Sequence, residues 1–313
     1  MKNFRSIISV VFLLLVIFWS FSDLSPKVKN KSESNDLKTE FSIDNALIHL
    51  KEISREPHYT GSNNHLTVQK YLLKELTKIG LNPKVELQVA INKWRSSTNT
   101  SNIVATIKGS ENGKSLVLLS HYDSRHHSSL GASDAGTGVV TILEGTRAFL
   151  AKNKIPKNDV HIVLTDAEEI GLLGAKAFVE NSPLANNVGL VINYEARGSG
   201  GPSYMLMETN GKNSQILKEF IKSSPTYPAA NSLMYSIYKM LPNDTDLTIF
   251  REDKNINGLN FAFIGDHFDY HTEQDSFERV DLETLIHQAD YFMTTLNYFA
   301  NSDLSNLDSD VDR

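Results

Sequence analysis

From Ile43 onward the apolar residues recur at helical spacing. Ile43, Ala46, Leu47, Leu50 and Ile53 share one face, with Ser42 in the place of an N-cap. Val68, Tyr71, Leu72, Leu76 and Ile79 form a second such stripe, stopped by Gly80. The pattern then reads as strands over 84–90 and 102–108, and Glu111-Asn112-Gly113 predicts the turn of a hairpin. Residues 116–120 are almost wholly apolar, which predicts a central strand buried on both faces. Beyond it the pattern predicts a helix over 139–150, a buried strand over 161–165, a helix over 172–179 and strands over 189–193, 204–207 and 259–264. A closing helix over 281–299 turns Leu282, Leu285, Ile286, Ala289, Phe292, Met293 and Leu296 inward. Strands alternating with helices predict an α/β fold, a three-layer sandwich with a mixed, largely parallel central sheet and helices on both faces.

The N-terminus departs from this pattern. Lys2 and Arg5 precede an apolar run over 7–21, broken only by Ser9 and Ser20. The run is apolar on every face and no small-x-small cleavage site follows, which favours an uncleaved signal anchor over a cleaved signal peptide. Residues 23–40 are polar and without periodicity and read as a linker. The expected organisation is therefore a signal segment over 1–22, a linker over 23–40, one folded domain over 41–300 and a disordered acidic tail over 301–313. The domain is expected outside the cytoplasm, anchored to a membrane or secreted.

Charge and composition narrow the chemistry. A net charge of −6 argues against nucleic acid as a partner. The chain has no cysteine, which excludes disulfides, thiolate zinc sites and a cysteine nucleophile. Histidines and carboxylates remain, and they gather where the predicted strands end. His121 ends one strand, Glu168 and Glu169 follow another, Glu195 follows a third, and His271 lies in a loop after the strand ending at Ile264. Sites in open α/β sheets form at such carboxyl ends. Taken singly, each residue has a bland reading. Asp134 could be a helix N-cap, the glutamate pair could be first-turn carboxylates, and His121 could be a hydrogen-bonded core histidine. Together they suit a metal site, with Asp123 placed to accept the His121 imidazole N–H. The glycines over 131–138 let the backbone turn Asp134 inward, where its two oxygens can bridge two metals. Of two adjacent glutamates in an irregular turn, one can bind metal while the other stays free as a base.

The segments H-Y-D-S (121–124), S-D-A-G-T-G (133–138), A-E-E-I-G-L-L-G-A (167–175) and H-T-x-x-D-S (271–276) resemble the aminopeptidase Y/S family of co-catalytic zinc peptidases. The likeness covers about 42–300. N-Y-E-A-R-G-S-G-G (193–201), P-N-D-T-D-L-T-I-F-R-E-D (242–253) and Y-H-T-E-Q-D-S (270–276) are similar to the branch of endoplasmic reticulum metallopeptidases and vacuolar membrane proteases. The resemblance implies two zinc ions, with Asp134 bridging them, Glu169 and His271 completing one site and His121 and Glu195 the other. It implies Glu168 as general base, Asp123 behind the ligands, and peptides as substrates. Glu195 stands where many soluble members have Asp; the branch resembled here also uses Glu. The many membrane spans that follow the peptidase domain in that branch have no counterpart in this sequence. The resemblance does not place the oxyanion-stabilising tyrosine, for which Tyr235, Tyr238 and Tyr270 are candidates. Arg197 and Arg251 are candidates for a substrate carboxylate, against a structural ion pair. Two other activities share the fold: glutaminyl cyclisation on a single zinc, and a non-catalytic binding ectodomain. The I-G-L-L-G-A continuation and the complete ligand set favour an aminopeptidase-type exopeptidase over both.

Overall fold

The computed structural model describes residues 2–22, 39–240 and 244–312. The linker expected over 23–40 falls almost wholly outside them. The strands are β1 (Lys84–Ile91), β2 (Ser97–Ile107), β3 (Ser115–His121), β4 (Val160–Thr165), β5 (Val188–Ala196), β6 (Gly200–Glu208) and β7 (Gly258–Gly265). The helices are α1 (Lys2–Ser22), α2 (Ile43–Ile53), α3 (Asn63–Lys78), α4 (Gly138–Ala151), α5 (Leu173–Asn181), α6 (Ser214–Ser223), α7 (Ser232–Met240), α8 (Asp246–Lys254) and α9 (Leu282–Phe299).

The strands form one sheet in the order β1-β2-β4-β3-β5-β7-β6. The central four, β4, β3, β5 and β7, are mutually parallel, and β1, β2 and β6 add antiparallel edges. Side-chain alternation sends Leu116, Leu118, Ile162, Leu164, Leu190 and Ile192 to one face, under α2, α3, α4, α6 and α9. Val117, Leu119, Val163 and Val191 go to the other face, under α5 and α8. The result is the three-layer sandwich expected, with the core divided by the sheet.

The expected hairpin at Glu111–Gly113 is not formed. β2 and β3 are separated by β4, which pairs antiparallel with β2 and parallel with β3. All seven residues of β3 are buried, and a strand apolar on both faces is satisfied only between two neighbours under helices on both sides. Residues 301–312, expected to be disordered, carry no regular structure but pack on the body: Leu304 and Leu307 are buried in the core, and Lys212 and Ser214 donate backbone hydrogen bonds to Ser309 and Val311.

Among the described residues no helix is long and apolar enough to cross a membrane. α1 forms nonetheless, and Ile7, Ile8, Phe12, Leu13, Phe18 and Trp19 on it are exposed.

α4 starts against the sheet because its first residue is glycine. A Cβ on Gly138 would lie 2.4 Å from Ser120 Oγ and 2.4 Å from the Tyr194 carbonyl oxygen. Gly138→Ala should therefore destabilise the chain by about 1–3 kcal/mol, the usual cost of overpacking, read as a lower denaturation midpoint.

Candidate metal centre

The candidate ligands and base all lie at or beyond the carboxyl ends of the four parallel strands. His121 is the last residue of β3, and Glu195 is the last but one of β5, inside the strand rather than past it. Glu168 and Glu169 follow β4, and His271 follows β7. Asp134 does not cap α4. It sits in an irregular turn, Ala132–Thr137, where its own φ of −106° and ψ of 96° break the helix. The glutamates precede the start of α5 at Leu173, so they are not its first-turn carboxylates. Two backbones beside the site lie in the left-handed region without being glycine, Ala167 (φ 62°) and His271 (φ 60°). Such strain persists where the surroundings over-determine it.

Two clusters share one carboxylate. His121 Nε2 lies 3.1 Å from Asp134 Oδ1 and 3.5 Å from Glu195 Oε2. His271 Nε2 lies 3.2 Å from Asp134 Oδ2 and 3.1 Å from Glu169 Oε2. In each triad the donor atoms all fall within 4.8 Å of one another. The His121 ring nitrogen Nδ1 lies 2.9 Å from the Asp123 carbonyl oxygen and 3.6 Å from its carboxylate. The ring N–H thus goes to the carbonyl, and Nε2 turns its lone pair to the cluster. The Asp123 carboxylate accepts the backbone N–H groups of Glu168 (3.1 Å) and Glu169 (3.3 Å), which fixes the glutamate turn.

The electrostatics ask for a cation. Burial opposes charge on His121, yet Glu195, Glu168 and the bonds to Asp123 and Asp134 push its pKa well above the usual value. His271, likewise penalised by burial, is pushed up to about 9 by Asp134 and Glu169. Burial and then Glu195, Glu169 and Asp246 raise Glu168 well above the carboxylate range, against the pull of His121. Burial and Asp134 push Glu169 up to about 7. Glu169 Oε1 is buried with no hydrogen-bond partner among the described residues, and His271 Nε2, close as it is to two carboxylates, makes no well-directed hydrogen bond to either. Imidazole and carboxylate donors converging in this way fit zinc, which takes nitrogen and oxygen ligands.

Several residues around the site carried no readable signal. Asp275 accepts the backbone N–H groups of Ser133 (2.6 Å) and Asp134 (3.3 Å) and so holds the Asp134 turn. Its H-T-x-x-D-S segment carries the resemblance, but nothing in the sequence assigns the aspartate itself a role. Thr60 Oγ1 lies 3.0 Å from Asp166 Oδ1 and 3.3 Å from Asp123 Oδ2, and His65 Nε2 lies 2.9 Å from Asp166 Oδ1. Thr60 and His65 lie tens of positions from Asp123 and Asp166, and no spacing links the two pairs. Asp246, buried at the start of α8, accepts the Thr165 hydroxyl, and burial pushes its pKa up to about 7. Asp166→Asn should loosen Asp123 and lower zinc affinity about 10–100-fold, the usual effect of a partner behind the ligands, read by competition with a chelator.

The candidate tyrosines and arginines separate. Tyr238 donates to Glu208 (2.6 Å), which also holds Arg251 Nε (2.9 Å), so both belong to an ion-pair network beneath α7 and α8. Tyr235 packs at the edge of the core, with Lys239 over its ring. Tyr270 stacks on His271, and its hydroxyl, raised in pKa first by burial, feels Asp134, Glu169 and Glu168.

Residues 102–296 match Peptidase family M28. The chain is 29% identical to a vacuolar membrane protease of Candida tropicalis over 97% of its own length, and covers 34% of that protein. It thus spans about a third of the length of the curated relatives it matches. Among solved structures, glutaminyl cyclase of Porphyromonas gingivalis superposes with a TM-score of 0.65 at 19% identity, over 82% of this chain and 97% of that one. A leucine aminopeptidase precursor of Bacteroides thetaiotaomicron superposes with 0.64 at 20% identity, over 85% and 99%. At these identities the two structures support the fold alone. The match over 102–296, together with the histidine and carboxylate clusters, makes this chain a member of Peptidase family M28, the zinc metallopeptidases.

Proposed function

We propose that the chain is a zinc-dependent exopeptidase of the aminopeptidase type. His121, Asp134 and Glu195 would hold one ion, and Asp134, Glu169 and His271 the other. The observation that carries this reading is Asp134, whose two oxygens face two different histidines at 3.1 and 3.2 Å. Bound zinc supplies Lewis-acid polarisation of the scissile carbonyl and lowers the pKa of water. The protein groups do the rest. Glu168, in the same turn as a ligand but outside both triads, takes the proton of the attacking water and returns it to the leaving amine. Asp123 keeps that carboxylate in register through the backbone of its turn. Tyr270, stacked on His271, would donate its hydroxyl to the oxyanion. An open position on a bound zinc could take the substrate's free α-amine, which would select an amino terminus.

We also propose that the peptidase domain, residues 41–300, is held at a membrane on its non-cytoplasmic side by α1, whose exposed apolar side chains need an apolar surround. The vacuolar membrane protease and endoplasmic reticulum metallopeptidase relatives are consistent with that placement.

The deciding experiment pairs zinc analysis with a panel of aminoacyl amides, N-acetylated peptides and peptides with N-terminal glutamine. The reading expects two zinc ions, cleavage of free-amine substrates and rejection of the acetylated ones. One zinc with cyclisation of glutamine would establish a glutaminyl cyclase instead, and metal binding without turnover would establish a binding domain.

A further inference from the structure

We propose that Arg197 anchors the free C-terminal carboxylate of the substrate, which makes short peptides of two or three residues the preferred substrates. The inference rests on the exopeptidase reading above and adds the other end of the substrate to it. Arg197 follows the ligand Glu195 by two residues, where β5 leaves the sheet. Its backbone N–H is bound to the Phe263 carbonyl oxygen (2.8 Å), and that of Ser199 to Gly265 (3.0 Å). Gly198 between them approaches Gly265 so closely that a Cβ would lie 2.1 Å from the carbonyl oxygen. The turn is therefore locked to β7, and the direction in which Arg197 leaves it is set.

The Arg197 side chain is exposed, and its guanidinium carbon lies 5.4 Å from the centroid of the Tyr270 ring. This is cation–π range. Tyr270 in turn stacks on the ligand His271, with ring centroids 3.6 Å apart. The guanidinium thus stands at the rim of the centre, one aromatic ring away from its ligands. A peptide residue spans at most about 3.3–3.6 Å, so a carboxylate one or two residues past the cleaved bond lies about 3.5–7 Å from it. The guanidinium lies no more than about 9 Å from the centre of the ligand His271 ring, within reach of a second or third residue of an extended peptide. The acidic centre repels a carboxylate, and a fixed cation at this distance reverses the sign of the field where the second end of a short peptide falls. Guanidinium is suited to the task because its planar fork binds carboxylate through two parallel hydrogen bonds.

The test compares the zinc-loaded protein and its Arg197→Met and Arg197→Lys variants on Leu-Gly, Leu-Gly amide and Leu-Asp amide, with zinc content measured for each. The wild-type protein should favour Leu-Gly over Leu-Gly amide by about tenfold or more in kcat/KM, the scale of a charge-assisted hydrogen-bond pair. In Arg197→Met that ratio should collapse towards one, with the change in KM rather than kcat. Arg197→Lys should keep part of the ratio, since it keeps the charge without the fork. An unchanged ratio in Arg197→Met at full zinc content would overturn the proposal. So would a wild-type preference for Leu-Asp amide over both others, which would assign the arginine to an acidic side chain. No cleavage of any of the three by the zinc-loaded wild-type protein would remove the exopeptidase reading and this inference with it.

Discussion

Glu168→Gln should retain the zinc content of the wild-type protein and lose at least about a hundredfold in kcat, the lower end of what a positioned general base contributes. The substitution is close to isosteric, and the turn that carries it is held by the Asp123 carboxylate through the backbone N–H groups of residues 168 and 169. It therefore removes proton acceptance without moving Glu169. The acid limb of the pH profile gives a second readout. Glu168 serves as a base only when ionised, so activity falls as pH drops through its pKa. Burial and the neighbouring carboxylates raise that pKa in the metal-free protein, and bound dications pull it back down. In the glutamine variant the limb should vanish along with the rate. Zinc-replete variant protein with near-normal kcat would take Glu168 out of this role.

Asp134→Ala should have the other large effect, on the metal itself. Removing the shared carboxylate leaves each cluster with two protein ligands where catalytic zinc takes about three, so zinc content should fall from about two ions per chain to well under one. Stability follows by linkage. Zinc at about a hundred times its Kd stabilises the folded wild-type chain by about 2.7 kcal/mol, and the variant should lose most of that gain. The measurement is thermal unfolding with and without added zinc, beside elemental analysis. A variant that binds zinc as the wild type does, with the same rise in Tm, would rule out a shared ligand at this position.

Much of this arrangement is legible in the amino-acid sequence. The apolar runs 116–120, 161–165, 189–193 and 259–264 each became a buried strand, because a strand between two layers must be apolar on both faces. The residues following those runs then had to emerge at one edge of a parallel sheet, and His121, Glu168, Glu169, Glu195 and His271 do so. α6, α7 and α8, by contrast, were not anticipated. α7 carries Leu233, Met234, Ile237 and Tyr238 at helical spacing but buries none of its residues. α8 begins in a segment noticed for its resemblance, not for its periodicity.

Residue types and their order along the chain were enough to establish the layered architecture and the donor set, since burial periodicity and ligand chemistry are written locally. The partition of those donors into two clusters about Asp134 came only with the fold, because it depends on how an irregular turn places two oxygens. The same holds for the Thr60–Asp166–His65 chain behind Asp123, and for the strand order that puts β4 between β2 and β3. These are contacts between segments far apart in the chain. Their geometry is decided by packing across the whole sheet, which no single stretch of residues encodes.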